Sequence, residues 1–387
     1  MAKKTSKKNI LKNLTIKNFR CFENFHLKDL KRVNIFVGDN NSGKSSVLEA
    51  VGFLSPSLKN HFKIMKARDV HSSDFNFLKN FPKYFRLSIH DFKNLIFKKI
   101  FTNIIEIDTE FAFQDQKKST LKVDLKMFQT NKIEKFIEHN EKFESNNEKE
   151  KLSEPKSFIS EYKFSNQKNI QKIGFSSLGT YDSEIKDFQE YQVIFLCDET
   201  PSKHEIVNKW SKLKELANLK ESNEIDEKYS IILQNFEKDL KKIELISDYD
   251  LAFRKNDFTV YLQDMGNGFK KFFDILLTID LAGKRDVLTL LCIDEIDNGL
   301  YYDKQDVFWE QLLKLCEEKN IQLFATTHSY DAIKSIVRVF ENRYKTDEKI
   351  DEELAVFRLV KVKNEVRARP FSFALLKVMV ESSTEIR

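Results

Sequence analysis

The stretch IFVGDNNSGKSSVLEAV, Ile35 to Val51, runs from an apolar segment through a polar loop into residues with a helical apolar face, Leu48 and Val51. Two of the chain's nine glycines, Gly38 and Gly43, stand in that loop. Gly38 to Ser45 fits the pattern GxxxxGK[ST], with the strand before it and the helix after it that this pattern requires. Glycine lets the backbone fold back so that successive N–H groups face phosphate oxygens, and the new helix adds its positive end. Gly38, Asn40, Asn41, Ser42, Gly43, Lys44, Ser45 and Ser46 are therefore candidate nucleotide-binding residues. Lys44 can bridge β- and γ-phosphates, and the Ser45 hydroxyl can ligate Mg²⁺. The alternative is a purely structural turn.

Outward from this loop, LTLLCIDEID (Leu288 to Asp297) is an apolar strand ending in carboxylates. That is the form of a Walker B element: Asp294 is the candidate Mg²⁺ partner, and Glu295 the candidate catalytic residue that polarises an attacking water. A second apolar strand, IQLFATTHS, ends in Thr326, Thr327 and His328, and a histidine there can donate to a γ-phosphate. Gly266 and Gly268 of LQDMGNGFKKF again place scarce glycine just before an apolar helix, a second phosphate-binding form. It could serve the same nucleotide from the other side.

The 65 basic and 60 acidic residues nearly cancel, which argues against a strong polyanion partner. The more basic N-terminus, with Lys3, Lys4, Lys7, Lys8, Lys12, Lys17 and Arg20, reads as a solvated terminus or a nucleic-acid contact. Cys21, Cys197, Cys292 and Cys316 form no CxxC pair and read as buried free thiols of a reducing cytosol. No apolar run approaches the roughly 18 residues of a membrane span, so no membrane partner and a cytoplasmic location are expected.

Residues 13–37 alternate as two or three strands, and a helix is expected from Gly43 until Pro56 stops it. FRLSI, NIIEIDTEFAF and LKVDLKMF, between 84 and 128, predict an antiparallel sheet. Residues 132–156 are charged and low in complexity, an exposed helix running into a flexible loop. YQVIFLC (191–197) is a strand, followed by about fifty helical residues that carry Ile206, Val207, Trp210, Leu213, Leu216, Ile231, Ile232, Phe236, Leu240 and Ile243 at helical spacing. The C-terminal third alternates helix 267–281, strand VLTLLCID, helix 303–318, strand IQLFATT and helix 330–341, an order that predicts a parallel sheet with helical crossovers. Asp347, Glu348, Asp351 and Glu352 read as a solvated acidic loop.

In this order, LTIKNFRCFENF, VGDNNSGKSSVLEA, GNGFKKF, IDEIDNGLYY and FATTHS resemble the ABC-type ATPase heads of the SMC, RecF and OLD group, closest to the stand-alone ATPases called AAA_15 or AAA_21. The resemblance implies an α/β P-loop NTPase of ABC-ATPase type: a mixed or parallel core sheet, an N-terminal antiparallel β subdomain and a helical insert. It implies one head over 1–387, with an N-terminal lobe at 10–130, a charged loop and helical insert at 131–250, a second lobe at 251–345 and a C-terminal segment at 346–387. ATP and Mg²⁺ are the implied cofactors. Two such heads dimerise head to tail, so Gly266, Asn267 and Gly268 are assigned to the γ-phosphate of the other copy, Asn298 and Gly299 to the D-loop, and His328 to the switch histidine. Gln114 of FAFQDQ is the Q-loop candidate for the metal, or else an exposed strand end.

Two departures stand out: Gly266 replaces the usual signature serine, and Tyr301 replaces a histidine often found in the related heads. The 59 residues after His328 are too few for the TOPRIM nuclease domain that many OLD proteins carry. The resemblance thus implies a dimeric ATPase switch for a separate effector, plausibly a nuclease in anti-phage defence. A RecF-like ATP-gated DNA-binding protein of DNA repair is the alternative.

Overall fold

The structure, a computed structural model, describes residues 10–55, 105–112, 118–129, 156–164, 171–176, 179–182, 191–196, 200–217, 219–247, 250–282, 287–363 and 365–382. Strands β1 (Ile10–Phe19) and β2 (Phe22–Leu27) form an antiparallel hairpin in which Leu14 faces Leu27 and Phe19 faces Phe22. β3 (Val33–Val37) then carries the chain into the glycine loop, and α1 (Lys44–Gly52) starts at Gly43, as the sequence predicts.

β4 (Ile105–Ala112), β5 (Lys118–Gln129), β6 (Lys156–Phe164), β7 (Gln171–Ser176) and β8 (Gly179–Asp182) extend the first hairpin into a seven-stranded antiparallel sheet, order β2-β1-β4-β5-β6-β7-β8. Three of these strands fall inside the segment 131–250, for which a charged loop and a helical insert are expected. Here the open edge of β5 supplies ladder partners, and pairing at a sheet edge overrides weak local preference. The FRLSI strand, residues 132–155, Cys197 and Gln114 lie outside the described residues.

After β9 (Tyr191–Leu196) come α2 (Lys203–Glu215) and α3 (Leu219–Phe236). α2 opens on a capping box in which Ser202 and Glu205 satisfy each other's amides. The helical stretch does not reach Leu240 and Ile243. Those residues lie in β10 (Leu240–Ser247), which pairs with β11 (Asp250–Lys255), itself paired with β12 (Thr259–Tyr261). A register shift between Leu240 and Lys242 puts two exposed lysines between two buried side chains, so a bulged strand imitates helical spacing.

From 267 to 343 the chain follows the expected alternation: α4 (Asn267–Ala282), β13 (Leu288–Ile293), α5 (Gln305–Glu318), β14 (Ile321–Thr326) and α6 (Tyr330–Arg343). Beyond it come α7 (Asp347–Glu353), β15 (Leu354–Val362), β16 (Glu365–Phe371) and α8 (Phe373–Glu381), which the sequence pattern does not announce. The expected acidic loop is the short helix α7, because Thr346 caps Lys349 N–H and Ile350 is buried.

The core sheet has the order β16-β15-β3-β14-β13-β9, parallel except for the antiparallel edge strand β16. Its central strands β3, β14 and β13 are buried along their whole length and mostly apolar because both faces are covered. Ile35, Leu291, Ile293, Leu323 and Ala325 face the helices, whereas Phe36, Leu290, Cys292 and Phe324 face α1 and the antiparallel sheet. Burying each large apolar side chain contributes about 1.5–3 kcal/mol.

Gln322 ties the two sheets together. Its Oε1 accepts from Leu11 N–H at 2.8 Å, and its Nε2 donates to Leu11 O at 2.9 Å and Lys31 O at 2.8 Å. A fully buried amide with all these bonds made carries no desolvation debt. Cys292 and Cys316 are buried thiols, as expected, but Cys21 is half-buried, because it sits in the turn of the first hairpin.

Candidate active site

Parallel order brings the carboxyl ends of β3, β14 and β13 to one edge, with β14 in the middle. Thr326 pairs with Phe36, and Ile293 with Ala325. The glycine loop, the Asp294-Glu295 pair and the Thr326-to-His328 segment therefore leave the sheet side by side, the usual place for a ligand in such sheets.

The loop has the backbone its glycines allow. Gly38 has φ 140° and Gly43 has φ 98°, both unfavourable for an L side chain. Space is short at each position as well. A Cβ on Gly38 would lie 2.5 Å from Leu359 O, and one on Gly43 would lie 2.8 Å from Cys21 Sγ and 3.0 Å from the Phe22 ring. The first hairpin thus leans directly on the loop, and its turn residue Arg20 is ion-paired with the buried Glu49 of α1.

Lys44 is buried, and its ammonium donates to Gly38 O and Asp39 O, both at 2.8 Å. Burial pushes its pKa down to about 8, against the upward pull of Asp294, Glu295 and Asp39. The Ser45 hydroxyl donates to Asp294 Oδ1 at 3.1 Å. The glycine loop and the end of β13 meet at that oxygen, between residues 249 apart in the chain.

Two residues without a sequence-assigned role complete the cluster. Thr326 is fully buried; its hydroxyl donates to Asp294 Oδ1 at 2.6 Å and accepts Glu295 N–H at 2.8 Å. Lys271 of α4 donates from Nζ to Glu295 O at 2.5 Å. Glu295 has φ 46°, in the left-handed region. Both missed residues adjoin a recognised motif, in FATTHS and GNGFKK, but nothing in residue type or spacing signals their bonds.

Half-buried His328 stands two residues past the end of β14, and between them Thr327 N–H donates to Phe36 O at 3.2 Å. Its neighbour Ser329 caps α6 through Ala332 N–H. The structure packs the GNG turn against the turn at Asn298 and Gly299. A Cβ on Gly268 would lie 2.4 Å from Gly299 O, so the two turns touch backbone to backbone. Gly299 itself has φ 79°, and Asn298 N–H closes the turn onto Glu295 O at 3.0 Å. A Cβ at Gly266 would meet nothing within 4 Å. Beside this pair of turns, Tyr301 and Tyr302 are 78% and 72% exposed.

The oxygens of Ser45 and Asp294 are the hard donors that a magnesium ion prefers, and their shared position at the loop mouth fits it.

The family model AAA_15, "AAA ATPase domain", matches residues 10–333. The chain is similar to an "ATP/GTP phosphatase" of Helicobacter pylori, 22% identical over 363 residues, covering 86% of this chain and 89% of that protein. It is also similar to the "DNA replication and repair protein RecF" of Clostridium perfringens strain SM101, 24% identical over 389 residues, covering 90% of this chain and 98% of that protein. Among solved structures, the SMC head domain from Thermotoga maritima aligns at 13% identity over 93% of this chain and 98% of that one, with a TM-score of 0.43.

Proposed function

We propose that this chain, which belongs to the AAA_15 family of ATPase domains and hydrolyses ATP, works as a cytoplasmic head-to-tail homodimer that switches a separate effector. The observation that carries the site is the three-way junction of Ser45, Thr326 and Asp294. In this reading Gly38 to Ser46 wrap the phosphates, and the Lys44 ammonium moves from the Gly38 and Asp39 carbonyls to β- and γ-phosphate oxygens. Magnesium held by Ser45 and Asp294 would neutralise charge on the same phosphates. Glu295 takes a proton from the attacking water, and His328 donates to the γ-phosphate.

The dimer reading is supported by the open surroundings of Gly266, the contact between Gly268 and Gly299, and the exposed tyrosines beside it. In it, Gly266, Asn267 and Gly268 of one copy close over the ATP of the other. An effector nuclease and a part in anti-phage defence rest on family analogy. ATP turnover of Lys44→Ala and Glu295→Gln tests the enzymatic core: loss is expected in both, and unchanged turnover in both refutes the assignment.

The similarity to RecF over nine-tenths of the chain favours a second reading, an ATP-gated DNA-binding protein. It requires ATP-stimulated duplex binding that weakens steeply as salt rises. No binding at low salt excludes it.

A further inference from the structure

Lys271 lies one turn inside α4, three residues beyond Gly268, and is 6% exposed. Its neighbours on the helix, Phe269, Phe272 and Phe273, belong to the apolar core. A buried ammonium in such company requires a strong acceptor, and Glu295 O supplies one at 2.5 Å. That carbonyl belongs to the proposed base, whose amide is held on its other side by Thr326 Oγ1. The backbone of Glu295 is thus clamped at both ends while it occupies a left-handed conformation. Direction of the carboxylate follows from that clamp, since φ and ψ fix where the side chain leaves the chain.

The helix bearing Lys271 is itself anchored one turn further on. Asp274 pairs with Lys209 of α2 at 2.6 Å, and Lys209 also donates to Thr278 at 2.9 Å. Its other end carries the GNG turn. We propose that Lys271 is a positioning residue that aims Glu295 and makes its geometry depend on the position of the GNG turn. A nucleotide phosphate engaging that turn shifts the first turn of α4, and Lys271 passes the shift to the peptide of Glu295. This rests on Glu295 being the base.

The test compares ATP turnover and KM for the full chain and its Lys271→Met, Lys271→Gln, Glu295→Gln and Lys271→Met/Glu295→Gln variants, with thermal unfolding of each. Expected are a fall in kcat of about 10- to 100-fold for Lys271→Met at a KM within about threefold of the parent, as for a misaimed catalytic group. On the Glu295→Gln background the same change should cost no further turnover, because both act through one carboxylate. Lys271→Gln, which keeps a donor without the charge, carries the comparison should the methionine variant lose its unfolding transition. Lysine variants with kcat within twofold of the parent, or a double variant whose losses multiply, overturn the proposal. Full turnover in Glu295→Gln removes the base assignment and this proposal with it, whereas an inactive Glu295→Gln beside active lysine variants removes this proposal alone.

Discussion

The hydroxyl of Thr326 donates to Asp294 Oδ1 at 2.6 Å, a closer contact with that oxygen than the 3.1 Å from Ser45. One threonine therefore orients the Asp294 carboxylate and, through Glu295 N–H, the residue after it. Thr326→Val keeps the volume but removes the donor and leaves a buried amide without its acceptor. A stability loss of about 1–3 kcal/mol is expected, together with a drop in turnover larger than that in ATP affinity. Thermal unfolding and steady-state kinetics decide it, and an unchanged kcat would falsify the orienting role.

Gly266 and Gly268, two residues apart, should answer alanine in opposite ways. At 268 the new Cβ collides with Gly299 O, so the D-loop turn must move and stability should fall by about 1–3 kcal/mol. At 266 there is room, and the melting temperature should stay within a degree or so of the parent. Equal melting temperatures for both variants would show that the two turns do not pack as described.

Tyr301 and Tyr302 provide a direct test of the dimer. With Glu295→Gln used to hold ATP unhydrolysed, light scattering should show a dimer in ATP and a monomer without it. Replacing both tyrosines with alanine should shift that equilibrium toward monomer by about tenfold or more, as for buried aromatic anchors. A chain that stays monomeric in ATP rejects the head-to-tail reading.

Asp280 governs part of the acid stability. Burial alone would raise its pKa, but Lys228 at 2.5 Å and Lys319 at 3.0 Å overrule it and hold the carboxyl below its ordinary value. A depressed folded pKa contributes stability above the unfolded value, near 3.9, that is lost as pH falls through the folded one. Asp280→Asn should therefore lower stability at neutral pH by about 1–2 kcal/mol. The difference should shrink as pH falls below about 4. A difference independent of pH would count against this ion pair.

The parts of the site that can be read from sequence are those where residue type and chemistry coincide. Gly38, Gly43, Lys44, Asp294 and Glu295 announce themselves because phosphate, metal and water each demand a particular group at fixed spacing. Thr326 and Lys271 do not, since a threonine ending a strand and a lysine on a helix have many ordinary uses. Their partners are set by which strands lie side by side. The same holds for the fold. Strand β3 and helix α1 follow from local pattern, whereas β6 to β8 exist because β5 offers an edge to pair with. At Leu240 and Ile243 a bulge defeats periodicity altogether, because the extra residue breaks the two-residue repeat that marks a strand.

The close fit of Cys21 and Phe22 against Gly43 has a consequence for any redesign of this ATPase. A hairpin turn and a phosphate loop that share one van der Waals surface form a single unit of substitution, although about twenty residues separate them in the chain. Larger side chains at 21 or 22 should register as altered nucleotide affinity, and changes at 43 should be relieved by smaller residues in the turn. Variants of either segment are best selected as pairs.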